Sequence, residues 1–288
     1  MMITATKVHF CHQVWTLESQ IQVLSQTDQY CDVVVAETPF HPVSHIWPDH
    51  PADKGTLSVS GVDYEVLDCL VGAVEVATGI LYVAESIPVK RDTEGWVFVV
   101  VHRLDKDVEL NVGHNVMLNV DKQHQQSLSR GHSAGHIASL ALNKVLAATY
   151  WRKDADRKDG LGSYDFNSYA QELSFVSLDR CFDKYRLGKT LRKRGLNTAQ
   201  LLDDIADIES KVNQQLQDWL SEPSEVTMTV DGPYLTSSRY WCCQLDDVKV
   251  VMPCGGTHIT STSALPKLSV ELRVIDSNYI EMHTNVIQ

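Results

Sequence analysis

The chain carries two short runs of metal-binding side chains: His132-Ser133-Ala134-Gly135-His136 and, far downstream, Pro253-Cys254-Gly255-Gly256-Thr257-His258. If both serve one site, the fold must bring a helix and the tip of a strand to one point, a demand stronger than any set by composition. On a helix, residues four apart lie on one face about one turn apart. Two imidazoles so placed can share an ion. The second run follows the β-rich stretch Val248–Met252, and a thiolate and an imidazole are both zinc ligands. The two intervening glycines allow backbone angles that other residues resist. The ligand set read from the sequence is therefore His132, His136, Cys254 and His258, with one zinc ion per chain.

Spacing alone is a weak guide. The chain has 12 histidines, and a pair four apart arises readily by chance. His41 and His45 repeat the spacing in a segment broken by Pro42 and Pro48. With His50 they form a second, weaker candidate metal group, because a proline-broken loop has no fixed geometry.

Short β-branched runs at Asp32–Val35, Thr56–Ser60, Val62–Leu67 and Trp96–Val101 alternate with turn formers in the first hundred residues, which predicts a small β-barrel or curled sheet. The pattern then changes. Ile137, Leu140, Ala141, Val145 and Ala148 recur at three and four, predicting a helix over Ser133–Tyr150. Leu201, Leu202, Ile205, Ile208, Val212, Leu216 and Trp219 hold the same period, with Asn197 or Thr198 as cap and Pro223 as stop. Strands follow at Glu225–Val230, Arg239–Leu245, Val248–Met252, Leu268–Val274 and Tyr279–His283, with turns at Asp246-Asp247 and Asp276-Ser277-Asn278. Arg152–Tyr164 reads as an exposed polar loop. The expected architecture is α+β: residues 1–112 form an N-terminal β-barrel domain, and residues 113–288 an antiparallel sheet with packed helices.

The 288 residues can bury a core without disulfide staples. Seven scattered cysteines without a CxxC pair, and no apolar leader or span, predict a reduced, cytoplasmic protein with no membrane partner. The net charge of −12 argues against a general nucleic-acid coat. One local exception stands out: Lys184, Arg186, Lys189, Arg192, Lys193 and Arg194 fall within eleven residues that hold no anion. They are either a solvated helix face or an RNA contact.

The pair HSAGH and CGGTH resembles the editing domain shared by alanyl- and threonyl-tRNA synthetases and by the free-standing AlaX proteins. Ile208-Glu209 and Asn213 on the preceding helix, and Arg130 before HSAGH, also resemble that family, and so do Phe40-His41-Pro42 and Asp53-Lys54-Gly55. Between those last two runs the family carries Gly-Gly-Gly-Gln-Pro. This chain instead has Val43-Ser44-His45-Ile46-Trp47-Pro48-Asp49-His50-Pro51. The resemblance implies a zinc-dependent deacylase acting on aminoacyl-tRNA in trans, with Ser-tRNA(Ala) as substrate. No segment resembles an aminoacylation domain, so ATP is not expected.

On this reading His258 or His132 is the ligand that yields and serves as base or substrate orienter. Ser133, Thr257 and Thr260 are candidate readers of the substrate hydroxyl, or else local backbone cappers. The alternatives are a zinc-stabilised tRNA-binding module without catalysis and a metal hydrolase of another ester. A zincin-type protease does not fit, because HSAGH lacks the glutamate that follows the first histidine in HExxH.

Overall fold

The computed structural model describes residues 3–287. The chain forms two compact units. The first runs to Gln126 and takes in Val230–Arg239 and Gly255–Thr257. The second comprises Ser127–Thr229, Tyr240–Cys254 and the chain from His258 onward.

The first unit is built on β2 (Thr16–Gln26), β3 (Tyr30–Val35), β5 (Gly55–Val59), β6 (Val62–Val66), β7 (Asp68–Glu75), β8 (Ile80–Val83), β9 (Trp96–Asp105) and β10 (Asn115–Val120), with a two-stranded parallel pair β1 (Lys7–Val8) and β4 (Glu37–Thr38). The eight strands form one sheet in the order β6-β5-β10-β2-β3-β9-β7-β8. Only Leu67 separates β6 from β7 in the chain. In a flat sheet those strands would lie about 29 Å apart, at about 4.8 Å per strand. One residue cannot span that gap, so the sheet must curl, and the Leu67 amide donates to Arg103 O of β9 at 2.8 Å. The edge strands β6 and β8 do not pair with each other among the described residues. Of the small β-barrel or curled sheet expected, the structure has the open, curled antiparallel sheet and not the barrel. Its core holds Ile21, Val33, Phe40, Leu57, Leu104 and Leu118.

The second unit contains α2 (Phe166–Ala170), β11 (Gln171–Ser177), β12 (Arg180–Arg186), α3 (Lys189–Lys193), α4 (Thr198–Asp203), α5 (Ile205–Leu220), β15 (Val248–Pro253), β16 (Leu268–Asp276) and β17 (Tyr279–Val286), and most of α1 (Lys122–Thr149), β13 (Val226–Val230) and β14 (Arg239–Leu245). Its sheets run β11-β12-β17-β16 and β13-β14-β15. Asp246 and Asp247 both take positive φ, 49° and 58°, as a two-residue hairpin turn with the right twist requires. The long helix expected after Asn197 is two. Asp204 leaves helical geometry (φ −98°, ψ 15°), and its carboxylate accepts from Tyr150 Oη at 3.1 Å. α5 buries Ile208, Val212, Leu216 and Trp219. Its polar side chains do a second job. Asn213 Oδ1 accepts from Val270 N (2.8 Å), Asn213 Nδ2 donates to Val270 O (2.7 Å), and Glu209 accepts from Leu272 N (2.7 Å). They cover the backbone of β16, an edge strand that would otherwise offer unpaired groups.

Candidate metal centre

α1 starts at Asp121, whose Oδ1 accepts from His124 N at 3.0 Å, satisfying one of the orphan donors of a helix start. The helix lies flush on the β11–β12 hairpin. A Cβ on Gly131 would fall 2.5 Å from Arg180 O and 2.6 Å from Ser177 O, and one on Gly135 would fall 2.6 Å from Cys181 Sγ. Only glycine permits this approach. Asp179 in the hairpin turn locks it: its carboxylate accepts from Ser127 Oγ at 3.0 Å and from Arg130 Nη2 at 3.1 Å, and its amide donates to Ser127 O at 3.0 Å.

Held this way, α1 presents His132 and His136 side by side, with ring centroids 4.7 Å apart. β15 ends at Pro253 and delivers Cys254, and the chain returns with His258. The Nε2 atoms of His132, His136 and His258 lie 3.4, 3.3 and 3.1 Å from Cys254 Sγ. All four donor atoms fall within 4.8 Å of one another. With Zn–S about 2.3 Å and Zn–N about 2.0 Å, a tetrahedral site has S···N edges of about 3.5 Å, so this donor set fits a small tetrahedral cation. His132 and His258 are buried, while His136 and Cys254 are half-buried. Trp241, fully buried on β14, walls the site, with its ring 5.3 Å from that of His136.

Ser133 is fully buried beside the cluster. Its Oγ lies 3.0 Å from His258 Nδ1 and accepts from Ile259 N at 3.3 Å. It therefore fixes the His258 ring through Nδ1, the nitrogen that does not face Cys254, as an outer partner of a metal-binding imidazole would. The sequence did not suggest this use. Thr260 is exposed, and its carbonyl accepts from Val226 N at 2.9 Å. Gly255 takes no left-handed φ and has open space where a Cβ would stand, so strained backbone angles do not explain the glycine there.

The basic run does not form one helix face. Lys184 and Arg186 end β12, with Lys184 over the Tyr279 ring and Arg186 paired with Glu172. Arg194 pairs with Asp156. Lys189, Arg192 and Lys193 of α3 are exposed and form no ion pair among the described residues.

In the first unit His41, His45 and His50 do not gather into a metal group among the described residues. His41 turns edge-on to Phe10 and to His50, at 4.9 and 4.4 Å. His45 lines a cavity with Asp68, Glu85 and Arg103. Thr257 is buried, its Oγ1 3.2 Å from His50 Nε2. Burial drives the imidazole pKa of His50 down to about 4, lowers that of His41 well below its usual value, and lifts the Asp53 carboxyl to about 7. Desolvation is the leading cause in each case, since it penalises the charged form.

No family model matches the chain. It is 26% identical over 259 residues to the alanyl-tRNA editing protein AlaX-M of Pyrococcus horikoshii, covering 90% of this chain and 87% of that protein. It is 24% identical over 270 residues to the alanine–tRNA ligase of Methanosarcina acetivorans and 23% over 246 residues to that of Cutibacterium acnes. Those matches cover 92% and 83% of this chain but only 24% and 22% of the ligases, so the chain spans about a quarter of their length. The chain is a homologue of the AlaX-type alanyl-tRNA editing proteins, similar to AlaX-M along nine-tenths of its length.

Proposed function

We propose that the chain hydrolyses the ester of mischarged aminoacyl-tRNA in trans, using one zinc ion held by His132, His136, Cys254 and His258. The observation that carries this reading is the convergence of three Nε2 atoms on one sulfur. A zinc ion held there would supply Lewis acidity and a water with a pKa near neutrality. His136 and Cys254 are the half-buried members of the cluster, and substrate is proposed to approach on their side. Ser133 keeps the His258 ring in place, so that its Nε2 stays directed at the cluster. One of His132 and His258, stacked at 4.1 Å, is the imidazole that would give up coordination and orient the ester or take a proton.

Serine on tRNA(Ala) is the proposed target. A site sized for alanine rejects serine poorly, and a second site that recognises the hydroxyl corrects the error. Of the three hydroxyl candidates, Ser133 is engaged with His258, Thr257 with His50, and Thr260 is exposed, so the surroundings favour none of them over the others. Lys189, Arg192 and Lys193, with Lys184, Arg186 and Arg194, are the proposed contact to tRNA phosphates.

A second reading has its own support. Four protein ligands make a closed tetrahedron, as structural zinc sites do, which would suit a tRNA-binding module without catalysis. Single-turnover deacylation of Ser-tRNA(Ala) by wild type and Cys254→Ala separates the two. We expect release of serine that the substitution abolishes. Tight tRNA binding without turnover selects the second reading.

A further inference from the structure

We propose that His50, in the loop that replaces the family's glycine-rich run, is a positioning residue for the metal-binding motif: it holds Thr257 and so fixes the chain leading into His258. This rests on the metal-site reading above.

The direction of the contact follows from chemistry. His50 Nδ1 lies 2.8 Å from Pro51 O. A carbonyl only accepts, so Nδ1 carries the hydrogen. The ring is buried and neutral at pH 7, which leaves Nε2 as an acceptor. Thr257 Oγ1, 3.2 Å away, therefore donates. This hydrogen bond sets the threonine rotamer.

The anchor is rigid. The loop closes at its neck where His41 N donates to Asp53 Oδ2 (2.8 Å) and Asp53 N donates to His41 O (2.9 Å). Asp53 Oδ2 also accepts from Gln125 Nε2 at 2.6 Å, and Gln125 Oε1 accepts from Trp15 Nε1 at 2.7 Å. The His41 ring packs edge-on against His50. Thr257 needs such an anchor. The two glycines before it carry the largest backbone entropy of any residue type, and Gly255 has no neighbour within 4 Å of its Cβ position to restrict it. A fixed Thr257 limits what the glycine pair can do between the two ligands Cys254 and His258.

The test is a Co2+ titration of the full chain, read by its ligand-field absorption, alongside deacylation kinetics. We expect His50→Ala and Thr257→Val each to weaken Co2+ binding by about ten- to a hundredfold, the usual effect of losing an outer partner, and to lower kcat with little change in KM. The double variant should lose no more than either single one, since both remove the same bond. His50→Gln keeps an acceptor and should restore most of the affinity. Thr257→Val preserves side-chain shape, so its result stands even if His50→Ala folds poorly. Unchanged Co2+ affinity and spectrum in the single variants, or fully additive losses in the double, would overturn the proposal. A wild type that binds Co2+ yet deacylates nothing sinks the deacylase reading alone, because the titration still judges His50.

Discussion

His41–His45 and His132–His136 have the same spacing and opposite fates. In the loop of the first unit, His41 packs on Phe10 and His50 while His45 faces a cavity with Asp68 and Glu85. On α1, both Nε2 atoms come within 3.4 Å of one sulfur. A four-residue interval fixes side-chain separation only where the backbone repeats. The ring nitrogens differ as well. His50 and His102 each lie with Nδ1 against a backbone carbonyl and Nε2 against a threonine hydroxyl, so both nitrogens are committed. His258 is held at Nδ1 by Ser133, and its Nε2 points to Cys254. One arrangement saturates the imidazole, while the other aims it.

The sharpest way to break the contrast is metal stoichiometry. His136→Asn or Cys254→Ser should reduce zinc affinity by more than about a hundredfold, beyond the range for outer partners. His41→Asn and His45→Asn should each retain one equivalent by elemental analysis. Loss of metal from either loop variant would mean that the loop histidines coordinate after all.

A smaller effect should follow from disturbing the surface that holds α1. Gly131→Ala places a Cβ within 2.8 Å of three backbone atoms of Ser177 and Arg180, and backbone cannot rotate away. Overpacking of this kind costs up to about 3 kcal/mol, offset by about 1 kcal/mol of helix propensity. Urea denaturation should show a net loss of about 2 kcal/mol. Stabilisation instead would show that the helix does not rest on the hairpin.

Local signals carried some of this and tertiary ones hid the rest. The α5 seam, the Asp246-Asp247 turn and the strands at Val248 and Leu268 are legible because each is set by neighbours in sequence. β2 is not legible as a strand, because a register shift between Ile21 and Val23 breaks its alternation. β11 was hidden because Leu173 and Phe175 point outward. The break at Asp204 depends on Tyr150, and barrel closure depends on whether two distant edges meet. In the site, the four side chains that cluster, His132, His136, Cys254 and His258, are readable because their residue types are rare and chemically specific. Ser133 beside His258 and His50 beside Thr257 are common polar residues whose partners lie more than a hundred positions away, and no local pattern encodes them.

Acid should sharpen the comparison further, with the smallest effect. Burial holds His102 near pKa 4 against 6.5 when unfolded. Between those values the unfolded chain takes up a proton that the folded chain refuses, so stability present above pH 6.5 is lost as the pH falls toward 4. His50 acts the same way, and burial lowers His41 well below its usual value too. Asp53 opposes them. Its carboxyl is raised to about 7, so the folded state keeps a proton that the unfolded state releases above 3.8, and that stabilisation fades as the pH rises through 7. Three histidines outweigh one carboxyl, and the first unit should weaken as the solution is acidified from pH 6.5 to 5. His102→Gln removes one contributor and should reduce that loss by about 1–2 kcal/mol. The measurement belongs in chelated protein, because ligand protonation adds its own acid sensitivity when metal is bound. The slope against pH is the readout, since the substitution also shifts overall stability by removing the contact with Thr38. An unchanged slope would mean that His102 takes up its proton inside the folded sheet, and that the saturated histidines of the first unit are no more resistant to charging than exposed ones.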